Sequence, residues 1–350
     1  MSYSRRNRYA ISGTVLAVAV ALIIAAVSAV PAPAAGQAGQ AAPAARSTAK
    51  YVPPRTPDGK PDLQGVWTNV TITPLERPAN LAGKEFFTPA EAAEYEKVTV
   101  ANNNADRRDG PAAADVGRAY NDFWWDRGTK VVPTLRTSLI IDPKDGKIPA
   151  LTSAAQTRRA ALAQAQRGHA TDGPENRPLA ERCLLWATAG PPMLPSFYNN
   201  NYQFAQGPGY VAILVEMIHD VRIIPTDGSP HLPKNIVQWL GDPRGHWEGD
   251  TLVVDTTNFT DKNSFRGSDE NLHLIERFTR TDANTMMYEF TIDNPSAFTK
   301  QWTAQVPMTR TPRPVLEYAC HEGNYAMSGV LSGARFEEKA AEEAAKKGAR

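Results

Sequence analysis

The chain has 350 residues, of which 42% are hydrophobic and 21% charged, a composition ordinary for a globular protein. Its 38 basic and 37 acidic side chains leave a net charge of +1, which argues against a nucleic-acid partner because no positive field is available to hold a phosphate backbone. The 28 prolines disfavour a helical bundle and suit a loop-rich β protein.

The first 34 residues have the pattern of a signal peptide. Three arginines near the N-terminus precede an uncharged apolar run over residues 10–30, and small residues at 32–34 supply a cleavage signal. We therefore expect a periplasmic or secreted protein. The alternative is that residues 10–30 are kept as an inner-membrane anchor, since the run is long enough to span a bilayer, and only then would a membrane be a partner.

The folded part is expected to be a single β-rich domain over residues 51–335. The Ala- and Pro-rich stretch at 35–50 is predicted to be a disordered linker, since it holds too few large apolar side chains to form a core. The first half of the domain alternates turn-forming stretches with short elements. These elements are a strand over 63–67, a helix that Thr88 caps and that runs to about Val98, a strand over 135–142, and a helix from Thr152 to about Gln166.

From Asn201 onward the hydrophobic pattern has the period of two that is typical of β-strands. A meander of many short strands favours closure into a barrel, because closure removes exposed edges. The predicted fold is therefore mostly β: an antiparallel meander closing into a lipocalin-like barrel, with short N-terminal helices and long loops; an open sandwich is the alternative. Residues 336–350 predict a charged helical tail. The strands are predicted over 202–206, 210–218, 221–224, 245–247, 251–257, 271–281, 285–293, 298–307 and 315–320.

The chain has two cysteines, Cys183 and Cys320. In an oxidising compartment we expect them to form a disulfide, and two buried free thiols are the alternative. Because the bridge would close a long loop, the chain-entropy model values it at about 4–5 kcal/mol.

No strong catalytic motif is present, so the candidate catalytic residues are polar side chains set within apolar strands. Glu216 is the foremost, within the strand predicted over 210–218. On an inward face its carboxylate would lose water and suit a general acid or base; an internal salt bridge is the alternative. His219 and His273 are its candidate partners in proton transfer, and Arg277 would stabilise an anion.

A second set of residues is predicted to line a polar ligand pocket. The acidic residues of this set lie on strands whose faces would converge with that of His273 in one lumen, or else point to solvent. The tryptophans would stack on a planar or sugar ligand, or else plug the barrel mouth. Tyr198 lies in a rigid loop that would rim a pocket or else brace the fold. The spacing of the histidines shows no ligand pair, so we expect no metal site and no cofactor. The predicted ligand-binding residues are Trp124, Trp125, Tyr198, His231, Asp255 and Glu289.

Three segments carry a resemblance to other proteins: residues 56–67 (TPDGKPDLQGVW), 244–259 (RGHWEGDTLVVDTTNF) and 318–325 (YACHEGNY). With these motifs the chain resembles an uncharacterised family of exported bacterial proteins over most of residues 51–335. The resemblance implies export and implies no particular activity. In its general pattern the hairpin-rich half is also similar to lipocalin-type barrels, which include both binding proteins and enzymes.

Three functions are consistent with these patterns. The leading hypothesis is an exported β-barrel that binds a small organic molecule in its interior. The second is a cofactor-independent acid–base enzyme on the same barrel, an isomerase, lyase or hydrolase. The third is a structural protein of the cell envelope without a pocket. A closed, dry interior filled by Leu, Val and Met would favour the structural protein. An open cavity without paired titratable groups would favour the binder, and a cavity with Glu216 within hydrogen-bond reach of a histidine would favour the enzyme.

Overall fold

The structure is a computed structural model that describes residues 51–108, 110–113, 121–263 and 265–348. The predicted signal peptide, its alternative as a membrane anchor, and the linker all lie outside the described residues. Within these ranges the chain forms ten strands and three α-helices. The strands are β1 (Gly65–Thr68), β2 (Ile140–Asp142), β3 (Asn201–Gly207), β4 (Tyr210–Val215), β5 (Val221–Pro225), β6 (Asp242–Glu248), β7 (Thr251–Thr257), β8 (His273–Arg280), β9 (Thr285–Asp293) and β10 (Trp302–Arg310), and the helices are α1 (Pro89–Asn103), α2 (Ser153–Gln166) and α3 (Ala326–Gly348).

Nine of the strands form one antiparallel sheet that curls into a nearly closed barrel, in the order β5-β4-β3-β1-β10-β9-β8-β7-β6. Two meanders, β3 to β5 and β6 to β10, are joined through β1, which pairs with β10 on one side and with β3 on the other. Strand β2 pairs with β10 outside this path. The predicted mostly β fold and barrel are confirmed, whereas the likeness to lipocalins and the domain boundaries stay predictions.

The two end strands of the sheet, β5 and β6, meet at a seam where the described residues form no backbone ladder. Gly245 of β6 lies at this seam. A Cβ atom at this position would lie 2.9 Å from side-chain atoms of Ile224 and Thr226. Because any larger residue would push β5 away, the glycine allows the barrel to close this tightly.

Side chains fill the interior of the barrel. Inward and outward residues alternate along the whole of β8 and β9. Phe278 and Tyr288 stack with ring centroids 4.9 Å apart, and Phe204 meets Phe278 edge-on at 5.4 Å. Burial of each such phenylalanine contributes about 1.5–3 kcal/mol. The largest side chains of this core, all less than 2% exposed, include Trp67, Trp302, Tyr202, Tyr288, Phe204, Phe278 and Phe290.

One ion pair lies inside this core. Both Nη atoms of Arg222 on β5 donate to the carboxylate of Glu276 on β8, with Nη1 3.1 Å from Oε1. The hydroxyl of Tyr288 donates to the same Oε1 at 2.8 Å and accepts from Met193 N at 3.0 Å. Burial raises the pKa of Tyr288 and keeps its hydroxyl protonated as a donor. The network ties the seam strand β5 across the interior to β8.

The first two helices begin where the sequence predicts. Thr88 accepts a hydrogen bond from Glu91 N, and the Glu91 carboxylate accepts from Thr88 N at 2.8 Å, which is the predicted capping box of α1. Helix α1 continues to Asn103, past its predicted end at Val98. Helix α2 follows its predicted cap, Thr152. No helix in the described ranges combines the length and apolar character needed to cross a bilayer.

Cys183 and Cys320 form the predicted disulfide, with Cα atoms 5.7 Å apart and a sequence separation of 137. A loop of this length corresponds to about 5 kcal/mol in the chain-entropy model. The bridge ties the segment before α3 to the loop that precedes β3. It indicates an oxidising, non-cytoplasmic environment. Helix α3 itself begins at Ala326, ahead of the tail predicted from residue 336.

The strand predicted over 210–218 is too long. Strand β4 ends at Val215, and Ile218 and His219 adopt left-handed backbone conformations with φ of 64° and 51°. These residues turn the chain through a short 3-10 helix. Apolar side chains continue the strand pattern into this turn, which is why the sequence misleads there.

Two other predicted strands differ from the structure: one is shorter than predicted, and the other is not a strand. Of the strand predicted over 135–142, only the three residues of β2 form a strand, and Arg136 makes an isolated bridge with Phe86. The strand predicted over 315–320 is wrong, because in the described part of the chain these residues form no ladder with a neighbouring strand. The N–H of Leu316 donates instead to the side chain of Glu216.

Candidate functional sites

Glu216 is buried at one end of the barrel, where its carboxylate accepts hydrogen bonds from two other parts of the chain. It lies just past β4, before the short 3-10 helix, and so outside the strand alternation. Its Oε2 accepts from Asn201 Nδ2 at 2.7 Å and its Oε1 from Leu316 N at 2.9 Å. His219 Nδ1 lies 3.1 Å from Tyr318 O. The two predicted catalytic residues therefore hold the same C-terminal segment. Their backbones are joined by a hydrogen bond from His219 N to Glu216 O at 3.3 Å, and no hydrogen bond joins their side chains in the described part of the chain.

Strand alternation places four of the predicted residues, Asp255, His273, Arg277 and Glu289, on the outer face of the sheet. The expectation that they converge with Glu216 in an enclosed interior is therefore wrong. The sequence does not show which face of each strand points into the barrel, because β8 carries ionisable residues on both of its faces.

Two of these outer residues form cross-strand pairs. Arg277 Nη2 donates to Glu248 Oε2 at 2.7 Å, and Gln305 Nε2 donates to Glu289 Oε2 at 2.9 Å. The hydrogen bond from Arg277 lowers the pKa of Glu248. Such half-exposed pairs are common on sheet surfaces. The predicted catalytic role of Arg277 and ligand-binding role of Glu289 stay predictions.

Three predicted residues do come together on the outer face. Asp255 lies between two imidazoles, with Oδ2 2.7 Å from His273 Nε2 and Oδ1 3.1 Å from His231 Nε2. His231 Nδ1 lies 3.0 Å from Asp242 Oδ2, and His273 Nδ1 lies 4.0 Å from Asp293 Oδ2. We call these five residues the His–Asp chain. It fastens the β5–β6 loop, which carries His231, to the sheet.

The His–Asp chain is electrostatically coupled. The hydrogen bond with Asp255 raises the pKa of His273, and the same bond lowers the pKa of Asp255. A neutral imidazole donates only one hydrogen bond, so His231 donates to both of its carboxylates only when it is protonated. Beside His273 lies a cleft of about 360 Å³, lined also by Lys234 and Glu270. An imidazole oriented by a carboxylate at such a cleft is suited to proton transfer.

One of the predicted aromatic residues, Trp125, packs with Phe197 around an arginine. Trp125 packs edge-on against Phe197 with centroids 5.5 Å apart and lies 6.1 Å from Tyr198. Arg127 Cζ lies 4.1 Å from the ring centroid of Trp125 and 5.4 Å from that of Phe197. Cation–π contacts fix a guanidinium without neutralising its charge. Trp124 lies apart from these contacts and is 63% exposed.

Arg127 lines a cleft of about 410 Å³, formed by the chain that follows β1 and the chain that precedes β3. We call it the Arg127 cleft. The described residues that line it include no Asp or Glu, so it carries the positive charge of two arginines. Its polar lining consists of Thr71, Thr73, Asn103, Arg127, Thr188, Ser196 and Arg266.

Several donors around this cleft lack an acceptor. Arg127 Nη1 donates to Asn103 O at 3.3 Å, whereas the buried Nε has no hydrogen-bond partner among the described residues. Thr188 Oγ1 likewise has none there. Ser196 Oγ accepts from Trp186 Nε1 at 3.2 Å, which leaves its own hydroxyl proton available. Surplus donors and positive charge together suit an anionic ligand.

Three charged residues have prominent contacts in the structure but are not among the residues predicted from the sequence. Glu276 carries the same signal as Glu216, an acidic side chain between apolar residues of a strand, and its partner Arg222 lies in an earlier predicted strand. Arg127 follows closely on the predicted tryptophans. Its role depends on Phe197, distant in sequence, and no local pattern indicates that contact.

Comparisons of this chain with protein-family models, with curated proteins and with solved structures find no match. Among the described residues, no group of three or more His, Cys, Asp or Glu side chains is arranged to hold a metal ion. Any proposal for function therefore depends on the geometry of the two clefts.

Proposed function

We propose that the protein is an exported binder of a small organic anion, which it holds in the Arg127 cleft. The proposal keeps the leading hypothesis of a small-molecule partner and moves the site from the barrel interior to the end of the barrel. The disulfide supports an environment outside the cytoplasm, and the N-terminal pattern supports a periplasmic or secreted protein.

The observation that carries the proposal is the state of Arg127. Its guanidinium is held by two aromatic rings and one backbone carbonyl, yet no carboxylate of the described residues pairs with it. A fixed, unneutralised arginine with free donors binds a carboxylate without first giving up an internal ion pair. The cleft volume of about 410 Å³ lies within the range of small-molecule sites.

The interior does not suit a ligand. Its aromatic side chains are packed against one another and are almost wholly buried. A ligand there would have to displace this core or separate Arg222 from Glu276, and both changes cost several kcal/mol.

The test is isothermal titration calorimetry of the mature chain with a series of carboxylates and with their uncharged amides. We expect carboxylates to bind and amides to bind about tenfold more weakly or not at all. Arg127→Gln should abolish the difference. The matched control is Arg277→Gln, which removes an arginine from the outer face and should leave binding unchanged. Equal binding of a carboxylate by wild-type protein and by Arg127→Gln would refute the site.

A second function is favoured by one observation, the 2.7 Å hydrogen bond between Asp255 and His273 beside a cleft. This pair supports acid–base chemistry on the outer face, with His273 exchanging a proton with a substrate and Asp255 orienting it. It would be tested with a panel of chromogenic esters. Turnover by wild-type protein that persists unchanged in His273→Gln would remove His273 from the reaction.

A further inference from the structure

The Arg127 cleft has an apolar neighbour. A second cleft of about 300 Å³ shares Thr188 and Arg266 with it. Its other walls include Trp186, Phe265 and Leu185. The two clefts therefore meet at the side chains of Thr188 and Arg266, one being rich in donors and the other rich in apolar surface.

The aromatic walls of the second cleft are fixed in place. Phe265 stacks on the buried Trp302, with centroids 6.2 Å apart and an interplanar angle of 22°. The indole N–H of Trp186 donates to Ser196 Oγ, a residue of the Arg127 cleft. Walls that need no rearrangement lower the entropic cost of binding an apolar group.

From this arrangement we infer that the ligand is a monocarboxylate with an aromatic tail, an inference that rests on the proposed function of the Arg127 cleft. The carboxylate pairs with Arg127 in the donor-rich cleft. The ring passes Thr188 and Arg266 and lies between Trp186 and Phe265. Offset or edge-on contact with those rings adds to the gain from burying the apolar surface of the ligand.

The test compares four probes by calorimetry: acetate, hexanoate, phenylpropanoate and phenylpropanamide. Acetate reaches only the arginine, hexanoate adds a flexible apolar chain, and phenylpropanoate adds a ring. We expect phenylpropanoate to bind about tenfold or more tightly than acetate, with hexanoate between them. Phenylpropanamide should bind less tightly than phenylpropanoate, because it carries the ring without the charge.

Two variants test where the aromatic ring of the ligand binds. Phe265→Leu keeps an apolar side chain against Trp302 and should weaken phenylpropanoate by about threefold to tenfold while leaving acetate unchanged. Phe123→Ala is the matched control, because Phe123 is exposed and lines neither of the two clefts. Thermal unfolding of each variant without ligand confirms that it folds.

The outcomes separate the two proposals. If acetate and phenylpropanoate bind equally and both need Arg127, the aromatic tail is refuted and the anion site stands. If phenylpropanamide binds as tightly as phenylpropanoate, the anion site is refuted. If none of the four compounds binds, both are refuted.

Discussion

Two of the arginines, Arg222 and Arg127, are held in place by different kinds of partner. Arg222, in the barrel interior, has both Nη atoms on Glu276, and the side chains of the pair are 1% and 0% exposed. Arg127, in the cleft at the end of the barrel, has aromatic rings and one backbone carbonyl but no carboxylate among the described residues. An arginine that is neutralised in the interior serves the fold, whereas an arginine left charged at a cleft is available to a ligand.

The largest effect is expected in the interior. Glu276→Leu leaves the charge of Arg222 buried without a partner and should lower the free energy of unfolding by about 3–5 kcal/mol in a denaturant titration. The double variant Arg222→Met/Glu276→Leu should lose much less. Glu289→Gln, on the outer face, is the control and should stay within about 0.5 kcal/mol of wild type. A single variant as stable as the double would contradict the role of the pair.

Loss of the disulfide should have the next largest effect on stability, and it can be compared directly with the effect of Glu276→Leu. Replacing both Cys183 and Cys320 by serine should lower the free energy of unfolding by about 2–5 kcal/mol, because the unfolded chain regains the entropy of a long loop. Wild-type protein treated with a reducing agent should unfold at the temperature of the variant. A melting temperature that does not change on reduction would show that the bridge contributes little.

Substitution of Arg127 should affect ligand binding, whereas substitution of Arg222 should affect the stability of the protein. Arg127→Lys keeps the charge but loses the planar fork, so carboxylate affinity should fall while the free energy of unfolding changes by no more than about 1 kcal/mol. Arg222→Lys should instead destabilise the protein, since lysine cannot reproduce the two-pronged contact with Glu276. Calorimetry and denaturant titration of the two variants measure this contrast. An Arg127→Lys protein that is destabilised as much as Arg222→Lys would remove the distinction.

The smallest effect is expected in the His–Asp chain. The raised pKa of His273 stabilises the fold below about pH 6.5, its ordinary value, and this contribution is lost as the pH rises through the folded-state pKa. The lowered pKa of Asp255 stabilises above its ordinary value of 3.8 and is lost as the pH falls through its folded-state pKa. The pair of His273 and Asp255 therefore contributes most to the stability of the fold between these two pH values.

Because both groups are half exposed, the loss above this window should stay below about 1 kcal/mol. Denaturant titrations at about pH 5.5 and about pH 8 should show it in wild-type protein and not in His273→Gln. An equal loss in both proteins would assign the pH dependence to other groups.

Local patterns predict a strand well where buried and exposed residues alternate without interruption, as in β9. The predicted bounds of β7 and β9 both match the structure. The capping box of α1 and the disulfide were also predictable, since each depends on a few residues of known chemistry. The end of β4 was not, because apolar residues continue past Val215 while the backbone turns.

The site was less predictable than the fold. The pairing of His231 with Asp255 depends on how the β5–β6 loop folds back onto the sheet, and sequence alternation carries no information on that. The Arg127 cleft combines the loops after β1, before β3 and after β7, which approach one another only in the folded chain. Residue types gave the right kinds of side chain, and long-range packing decided which of them meet.

A crystal structure of the protein soaked with phenylpropanoate would test the Arg127 cleft most directly. We expect the carboxylate within about 3.2 Å of a nitrogen of Arg127 and the ring beside Phe265. Ligand density in the barrel interior or beside His273, with none in the Arg127 cleft, would contradict this expectation.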